Sequence, residues 1–263
     1  MEYKEYGHWS KDGKEYVITE RKTPRHWYNY MFNDSYVGFV SQVGFGDGFC
    51  QDTYTNRIKM ITDRCLYIVD RKNGEWHTAN GLPIYAKYDR YECHHGLGYT
   101  TYVYEKDGLE GHFTIFVPSD GNREQWIITI RNCRDTDAEL GVIAYCATAV
   151  DGGYEKQGYN SMEGHLDTKM DALYHKFSSN FGTGSKKLQY TYMMCNQPVA
   201  AYDCRHNAFI GTYGHKDAPE ALLENGGCTN SDCVVEKLCF FAVNITIGSF
   251  CKIVAGILPT LLV

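Results

Sequence analysis

The polar stretch best suited to binding a sugar lies between two strand-like segments. Five side chains there carry amide, hydroxyl or imidazole groups: Gln157, Tyr159, Asn160, Ser161 and His165. Planar amides hydrogen-bond hydroxyl groups, and a tyrosine face packs against the C–H groups of a sugar ring. Long irregular segments in compact domains are usually either functional loops or disordered ones. We therefore predict carbohydrate binding at these five residues, with an ordinary solvated loop as the alternative.

A second candidate for chemistry is the adjacent pair His94 and His95, within the polar block 92–100. Either imidazole could act as a general acid or base near neutral pH. Successive residues of a strand point to opposite faces, so the two side chains cannot serve one site without a kink. Ordinary hydrogen-bonded histidines at a strand end are the favoured alternative. The sequence also lacks the GxSxG pattern of a serine nucleophile.

Two further patterns have a structural explanation. The glycine-rich segment Gly44–Gly48 lacks both the spacing and the following helix of a phosphate-binding loop, so it predicts a tight turn. Several aromatic residues could form a sugar-stacking platform: Trp9, Trp27, Tyr28, Tyr30, Phe32 and Trp76. Aromatic residues at this density are more often part of a core or an interface.

The cysteines indicate a reducing compartment. Eleven are scattered along the chain, an odd number, and no apolar signal segment stands at the N-terminus. A cytoplasmic protein with free thiols is therefore expected. The cysteines and histidines do not show the paired spacing of a structural zinc site, so no metal and no cofactor are predicted.

The composition favours many short strands. Aromatic residues make up 14% of the 263-residue chain, and there are 26 glycines. Asp107-Gly108 between two alternating segments predicts a hairpin, and a second hairpin is predicted from strands at 125–131 and 140–147. Further strands are expected at 16–19, 36–41, 66–69, 188–194, 208–211 and 234–243. The best helix candidate is 163–176, and the overall prediction is an all-β fold of two large packed sheets with little helix.

Charge and hydropathy bear on two classes of binding partner, nucleic acids and membranes. With a net charge of −6 and no run of basic residues, the sequence gives no sign of a nucleic-acid-binding surface. The apolar residues 239–263 are long enough to span a bilayer. Asn244, Thr246, Ser249 and Lys252 interrupt them, so strands split at Gly248-Ser249 are favoured over a membrane anchor. We expect one domain over residues 1–250, and an apolar tail at 251–263 where the chain is truncated.

Several segments, taken in order, identify a family that this chain resembles. They are Tyr6–Trp9, Glu15–Thr19, Thr23–Tyr30, Gly44–Phe49 with Asp52, Tyr91–Thr100, Phe116–Pro118, Phe209–Gly211 with Tyr213, and Cys228–Ser231. Together they resemble the opening of the glycoside phosphorylases of glycoside hydrolase family 94, formerly glycosyltransferase family 36. This family includes the cellobiose, cellodextrin and chitobiose phosphorylases.

The resemblance implies both a fold and a limit on function. It implies an N-terminal β-supersandwich, similar to galactose mutarotase, which in the family precedes an (α/α)6 barrel that carries the catalytic aspartate and the phosphate site. This chain ends before such a barrel, so the resemblance implies a module that is inactive alone. Some members use a loop of the β-domain to close the sugar site and form the dimer, and residues 157–165 fall at that place.

Three hypotheses follow. The first is a carbohydrate-binding module whose ligand is a β-linked oligosaccharide or sugar phosphate. Its protein partner would be a second copy in a homodimer or the missing catalytic barrel. Neither nucleic acid nor a membrane is an expected partner. The second is a small mutarotase-like epimerase that uses His94 or His95 with a carboxylate. The third is a purely structural dimerisation module.

Overall fold

The computed structural model describes residues 5–51, 57–148, 151–152, 162–180, 186–236, 239–246 and 250–258. Its helices and strands, in chain order, are β1 (Gly7–Trp9), β2 (Glu15–Ile18), β3 (Tyr28–Phe32), β4 (Tyr36–Ser41), β5 (Gly48–Gln51), β6 (Arg57–Asp70), β7 (Trp76–Thr78), β8 (Arg90–Gly96), β9 (Tyr99–Lys106), β10 (Leu109–Phe116), β11 (Arg123–Asn132), β12 (Leu140–Thr148), β13 (Asp151–Gly152), β14 (Met162–Asp167), β15 (Ala172–Asn180), β16 (Lys186–Cys195), β17 (Ala201–Arg205), α1 (His206–Phe209), α2 (Glu220–Asn225), β18 (Cys233–Glu236), β19 (Cys239–Thr246) and β20 (Phe250–Leu258).

These strands form two large antiparallel sheets. The larger one has the order β1-β2-β8-β9-β10-β11-β20-β16-β15-β14-β18. The smaller one has the order β17-β19-β12-β6-β5-β4-β3, with β7 and β13 also paired to β6. The predicted all-β class with two large packed sheets and little helix is confirmed.

The central hairpin of the larger sheet follows from its turn and its alternation. Asp107 and Gly108 have φ values of 50° and 72°, as a two-residue hairpin turn requires. Along β10 the residues alternate between the buried and the more exposed face of the sheet. On the buried face, the Phe113 ring lies 5.8 Å from Tyr102 and 5.9 Å from Trp126.

Polar side chains of each sheet bond to the backbone of the other. Tyr102 Oη donates to Ser41 O at 2.9 Å, and Tyr91 Oη donates to Gln42 O at 3.0 Å. From the smaller sheet, Asn29 Nδ2 donates to the carbonyls of Gly96 and Tyr99. Because a tyrosine can fill the core and still satisfy a buried carbonyl, these contacts explain why so many tyrosines are buried.

One ion pair joins the sheets in the middle of the core. Arg64 of β6 donates to Glu124 of β11 through Nε at 2.5 Å and Nη2 at 2.8 Å, and both side chains are 0% exposed. Tyr36 Oη and Trp126 Nε1 also donate to the Glu124 carboxylate. Burial lowers the pKa of Arg64, but the adjacent Glu124 charge raises it overall, so the guanidinium stays charged.

The predicted glycine turn between β4 and β5 accommodates this pair. Gly46 O accepts from Arg64 Nη1 at 2.8 Å. Gly46 has φ +149°, and a Cβ there would lie 2.0 Å from Phe39 O. A Cβ on Gly48 would lie 1.9 Å from the Tyr36 hydroxyl. Glycine is therefore needed at both positions, because a side chain would clash with the backbone of β4 at Gly46 and with the Tyr36 hydroxyl at Gly48.

The outer face of the smaller sheet is covered by the helical segment. Phe209 of α1 lies 5.8 Å from the Tyr67 ring and 5.6 Å from the Tyr145 ring. Tyr67 Oη donates to Lys216 O at 2.7 Å. Buried Asp203 accepts hydrogen bonds from Thr229 and Ser231 and so fixes the loop after α2.

Three local predictions were wrong. Residues 163–176, predicted as a helix, form the β14–β15 hairpin, where Leu173 and His175 are buried with Tyr174 between them more exposed. The predicted hairpin between 125–131 and 140–147 does not form, because β11 and β12 lie in different sheets. Residues 208–211, predicted as a strand, overlap α1, whose Phe209 is buried against the outer face of the smaller sheet.

The two apolar strands near the C-terminus flank the predicted break at Gly248-Ser249, but they do not pair with each other. β19 pairs with β12 and β17 in the smaller sheet. β20, assigned above to an apolar tail, lies between β11 and β16 of the larger sheet. Among the described residues, no helix has the length and apolar character needed to cross a membrane.

We predict that Arg64→Met lowers the free energy of unfolding by about 3–5 kcal/mol, because it leaves the Glu124 charge buried and uncompensated. Arg64→Met/Glu124→Leu should recover part of this loss, since no lone charge remains. Urea denaturation checks both. Arg131→Met is the matched control. The Arg131 side chain is 77% exposed, so this variant should lower the free energy of unfolding by less than about 0.5 kcal/mol. A loss below 1 kcal/mol for Arg64→Met would contradict the assignment.

Candidate functional site

The one predicted sugar-contact residue that the structure describes is His165, which lies on β14. It is paired across the sheet with Tyr174 of β15, and the two rings are 5.8 Å apart. Tyr174 in turn lies 6.3 Å from Tyr190 of β16. The other four predicted residues, Gln157, Tyr159, Asn160 and Ser161, lie outside the described residues.

An acidic group completes the surroundings of His165. Its Nδ1 lies 3.6 Å from Asp232 Oδ2, and Tyr202 Oη donates to Asp232 Oδ1 at 3.0 Å. Burial and this hydrogen bond raise the pKa of Tyr202 to about 12, so its hydroxyl remains a donor at neutral pH. We call His165, Tyr174, Tyr190, Tyr202 and Asp232 the His165 cluster. It combines donors, acceptors and aromatic faces, which suits binding of a polyhydroxylated ligand.

The sequence reasoning missed the other members of this cluster. Residues 163–176 were predicted as a helix, which would not place His165 opposite Tyr174. Tyr202 lies on β17 and Asp232 lies just before β18, and both are distant from His165 in sequence. The alternation of tyrosines at 190 and 192 was the one local signal for a strand with an aromatic face.

The adjacent histidines point to opposite faces, as predicted. His94 is 21% exposed, and its Nδ1 lies 2.8 Å from Glu15 Oε2 and its Nε2 3.0 Å from Glu92 Oε2. Tyr99 Oη donates to Glu15 Oε1 at 2.6 Å, and Arg90 binds Glu92 through two nitrogens. Both nitrogens of His94 are thus engaged by carboxylates, so the ring is held in a surface network of hydrogen bonds.

His95 is a packing residue of the opposite face. Its Nε2 bonds to Trp27 O at 3.0 Å and its Nδ1 to Thr100 Oγ1 at 3.0 Å. Burial lowers the pKa of His95, which favours a neutral ring that donates to the carbonyl and accepts from the hydroxyl. Neither histidine presents a ring nitrogen free to move a proton to a ligand.

The proposed aromatic platform is only partly assembled. Tyr28, Tyr30 and Phe32 lie on the exposed face of β3. Their rings contact two further aromatic rings. The Tyr30 ring lies 5.7 Å from the Phe39 ring, and the Tyr28 ring lies 6.5 Å from the Phe45 ring. Trp9 and Trp27 instead pack around Tyr16, and Trp76 lies on β7.

The cysteines provide no metal site in the part of the chain that the structure describes. Nine of them have described side chains, and none of these forms a disulfide. Within the same residues, no three histidine, cysteine or acidic side chains converge as metal ligands.

Comparison with known proteins agrees with this architecture. Residues 14–249 match the family described as glycosyl hydrolase 94, supersandwich domain. The chain is 27% identical over 232 residues to 3-O-beta-D-glucopyranosyl-beta-D-glucuronide phosphorylase of Paenibacillus borealis, covering 88% of this chain and 30% of that protein.

Two other relatives match with similar identity and over similar shares of both chains. Solabiose phosphorylase of Paenibacillus borealis is 25% identical, with 89% of this chain and 31% of that protein covered. N,N'-diacetylchitobiose phosphorylase of Vibrio furnissii is 24% identical, with 86% of this chain and 29% of that protein covered. The chain therefore spans about a third of the length of these three relatives, in their N-terminal part.

A solved structure supports the fold alone. Bacterial glucoamylase complexed with acarbose superposes with a TM-score of 0.50 at 10% identity, over 93% of this chain and 35% of that chain. The resemblance inferred from the sequence motifs is thus confirmed by the family match, by the relatives and by the architecture. This chain belongs to the glycoside hydrolase family 94 supersandwich domain family.

Proposed function

We propose that this chain is the carbohydrate-binding N-terminal module of a glycoside phosphorylase, acting in cytoplasmic carbohydrate metabolism. The observation that carries the proposal is the match of residues 14–249 to the supersandwich domain, together with relatives that are named as phosphorylases. Its proposed partners are a β-linked oligosaccharide or sugar phosphate, with a second copy of the chain or an (α/α)6 barrel beside it. No nucleic acid, membrane, metal or cofactor is part of the proposal.

The proposed contact is formed by Gln157, Tyr159, Asn160, Ser161 and His165. The surroundings of His165 support it, because Tyr174 and Asp232 add a ring face and a hydroxyl acceptor beside the imidazole. His165 is 33% exposed and Asp232 48% exposed, so a ligand can reach both. A site whose described side chains remain partly exposed leaves much of a sugar hydrated, so the affinity should be weak, with Kd of about 1 mM, or about −4 kcal/mol.

The carboxylates near His94 do not suit phosphorolysis. Inverting cleavage of a glycosidic bond needs a carboxylic acid with a raised pKa at the leaving oxygen, and phosphorolysis also needs a cationic phosphate pocket. The hydrogen bonds from Arg90 and His94 lower the pKa of Glu92. Burial raises the pKa of Glu15, but hydrogen bonds from Tyr99 and His94 lower it overall. Both groups are therefore charged bases at neutral pH.

The first prediction from this proposal is that the purified chain does not phosphorolyse cellobiose. It should release no glucose 1-phosphate above background when mixed with cellobiose and inorganic phosphate, because the described carboxylates near His94 have lowered pKa values and cannot supply the acid. A full-length phosphorylase with its own substrate is the positive control. Turnover near 1 s⁻¹ by this chain would overturn the proposal of a binding module.

The second prediction concerns binding. Cellobiose at tens of millimolar should shift NMR signals of the His165 cluster. Gln157→Ala/Tyr159→Ala/Asn160→Ala should abolish those shifts without unfolding the protein, and exposed Lys11→Ala should leave them unchanged. If neither cellobiose nor N,N'-diacetylchitobiose shifts any signal, the structural-module hypothesis is favoured. Shifts confined to His94 and its carboxylates would favour the epimerase hypothesis.

A further inference from the structure

A separate cavity of about 410 Å³ opens between the ends of the two sheets. One wall is the turn between β6 and β7, at Asp70–Trp76, and the other is the β9–β10 hairpin at Lys106–Leu109. Arg134, which follows β11, closes one side. The volume falls within the range of small-molecule sites, which is enough for a ligand of mono- to disaccharide size.

One of the residues that line the cavity has a buried polar atom without a partner. His77 of β7 lines the cavity and is 5% exposed. Among the described residues, its shielded Nε2 has no hydrogen-bond partner. Burial lowers the pKa of His77 to about 3, with the Lys106 charge adding to this effect, so the ring is neutral. A neutral imidazole nitrogen accepts from, or donates to, a hydroxyl group, and an unmet buried polar atom favours a ligand that meets it.

The charges around the cavity are balanced. Arg134 Nη1 is paired with Asp70, and although burial raises the pKa of that carboxyl, the hydrogen bond from Arg134 lowers it overall. Lys106 is paired with Asp107. Exposed Lys87 and Glu75 complete a lining of three cationic and three anionic side chains. A free phosphate or a sulfated ligand gains no net attraction from such a lining.

A neutral polyhydroxylated ligand fits this lining better. Its hydroxyl groups donate to carboxylates and accept from ammonium and guanidinium groups at the same time. The partly buried Trp76 also lines the cavity and adds a flat apolar surface for sugar C–H groups. Trp76 Nε1 donates to Asp217 O at 3.3 Å, which fixes the orientation of the indole.

We propose that this cavity, between Trp76, His77, Lys87 and Arg134, is a second saccharide site for a neutral mono- or disaccharide, separate from residues 157–165. This inference rests on the proposed carbohydrate-binding function, and it assigns a second binding site to residues that the structure describes. No residue is shared with the His165 cluster, so the two sites can be tested independently.

The test is a cellobiose titration of the ¹⁵N-labelled full chain. The chain has four tryptophans, so the four indole N–H signals provide one reporter in the cavity and three internal controls. The Trp76 indole, assigned through Trp76→Phe, should shift with Kd of about 1 mM, together with the His77 ring nitrogens. The indoles of Trp9, Trp27 and Trp126 should not move.

Surface variants keep the test independent of folding. Lys87→Ala and Glu75→Gln remove exposed cavity groups, and each should weaken the Trp76 response at least threefold. Lys11→Ala and Glu224→Gln are the matched controls at exposed positions away from the cavity, and they should leave the response unchanged.

Three results would overturn the inference. If cellobiose shifts the His165 cluster and leaves Trp76 and His77 unmoved, the cavity is not a saccharide site, while the proposed function stands. If cellobiose shifts nothing in the protein, the proposed function fails as well. If inorganic phosphate shifts Trp76 and His77 and cellobiose does not, the cavity is an anion site and the assignment of a neutral ligand is wrong.

Discussion

The structure depends on one pair of opposite charges in its core, Arg64 and Glu124. Arg64 belongs to the smaller sheet and Glu124 to the larger one, and both are shielded from water. A lone buried charge is far more costly than an apolar residue, so each side chain is tolerated because the other is present. Their remaining bonds go to Gly46 O, Tyr36 and Trp126, which fixes the position of strands on both sides of the pair.

The packing of the two sheets also limits where the proposed ligands could reach the protein. Among the described residues, the interior between the sheets is filled by rings such as Tyr102 and Phe113, so both proposed binding surfaces lie outside it. Of the His165 cluster, His165, Tyr174 and Tyr190 lie on neighbouring strands of the larger sheet, and Tyr202 lies on β17 at the edge of the smaller one. The cavity beside His77 lies where the β6–β7 turn and the β9–β10 hairpin of different sheets come together. Its shape therefore depends on how the sheets are held together.

Features fixed by local chemistry could be predicted from the sequence, and those fixed by distant pairing could not. Asp107-Gly108 identified its hairpin because the two residues alone determine that turn. The opposite directions of His94 and His95 followed from strand geometry. The Arg64–Glu124 pair was not predictable, because 60 residues separate its members and no local pattern links them. The β14–β15 hairpin is an exception, because its turn is local but was missed: the predicted helix took no account of the Asp167 side chain, which accepts from the amides of Lys169 and Met170.

The most direct test of the central claim is hydrogen exchange of the Arg64 Nε–H group, observed in a ¹⁵N-edited spectrum and assigned through its loss in Arg64→Met. If the buried pair holds the sheets together, this proton exchanges only when they separate. It should then show the same free energy of opening as the slowest amides of β6 and β11. Exchange as fast as that of the 77% exposed Arg131 would contradict the account.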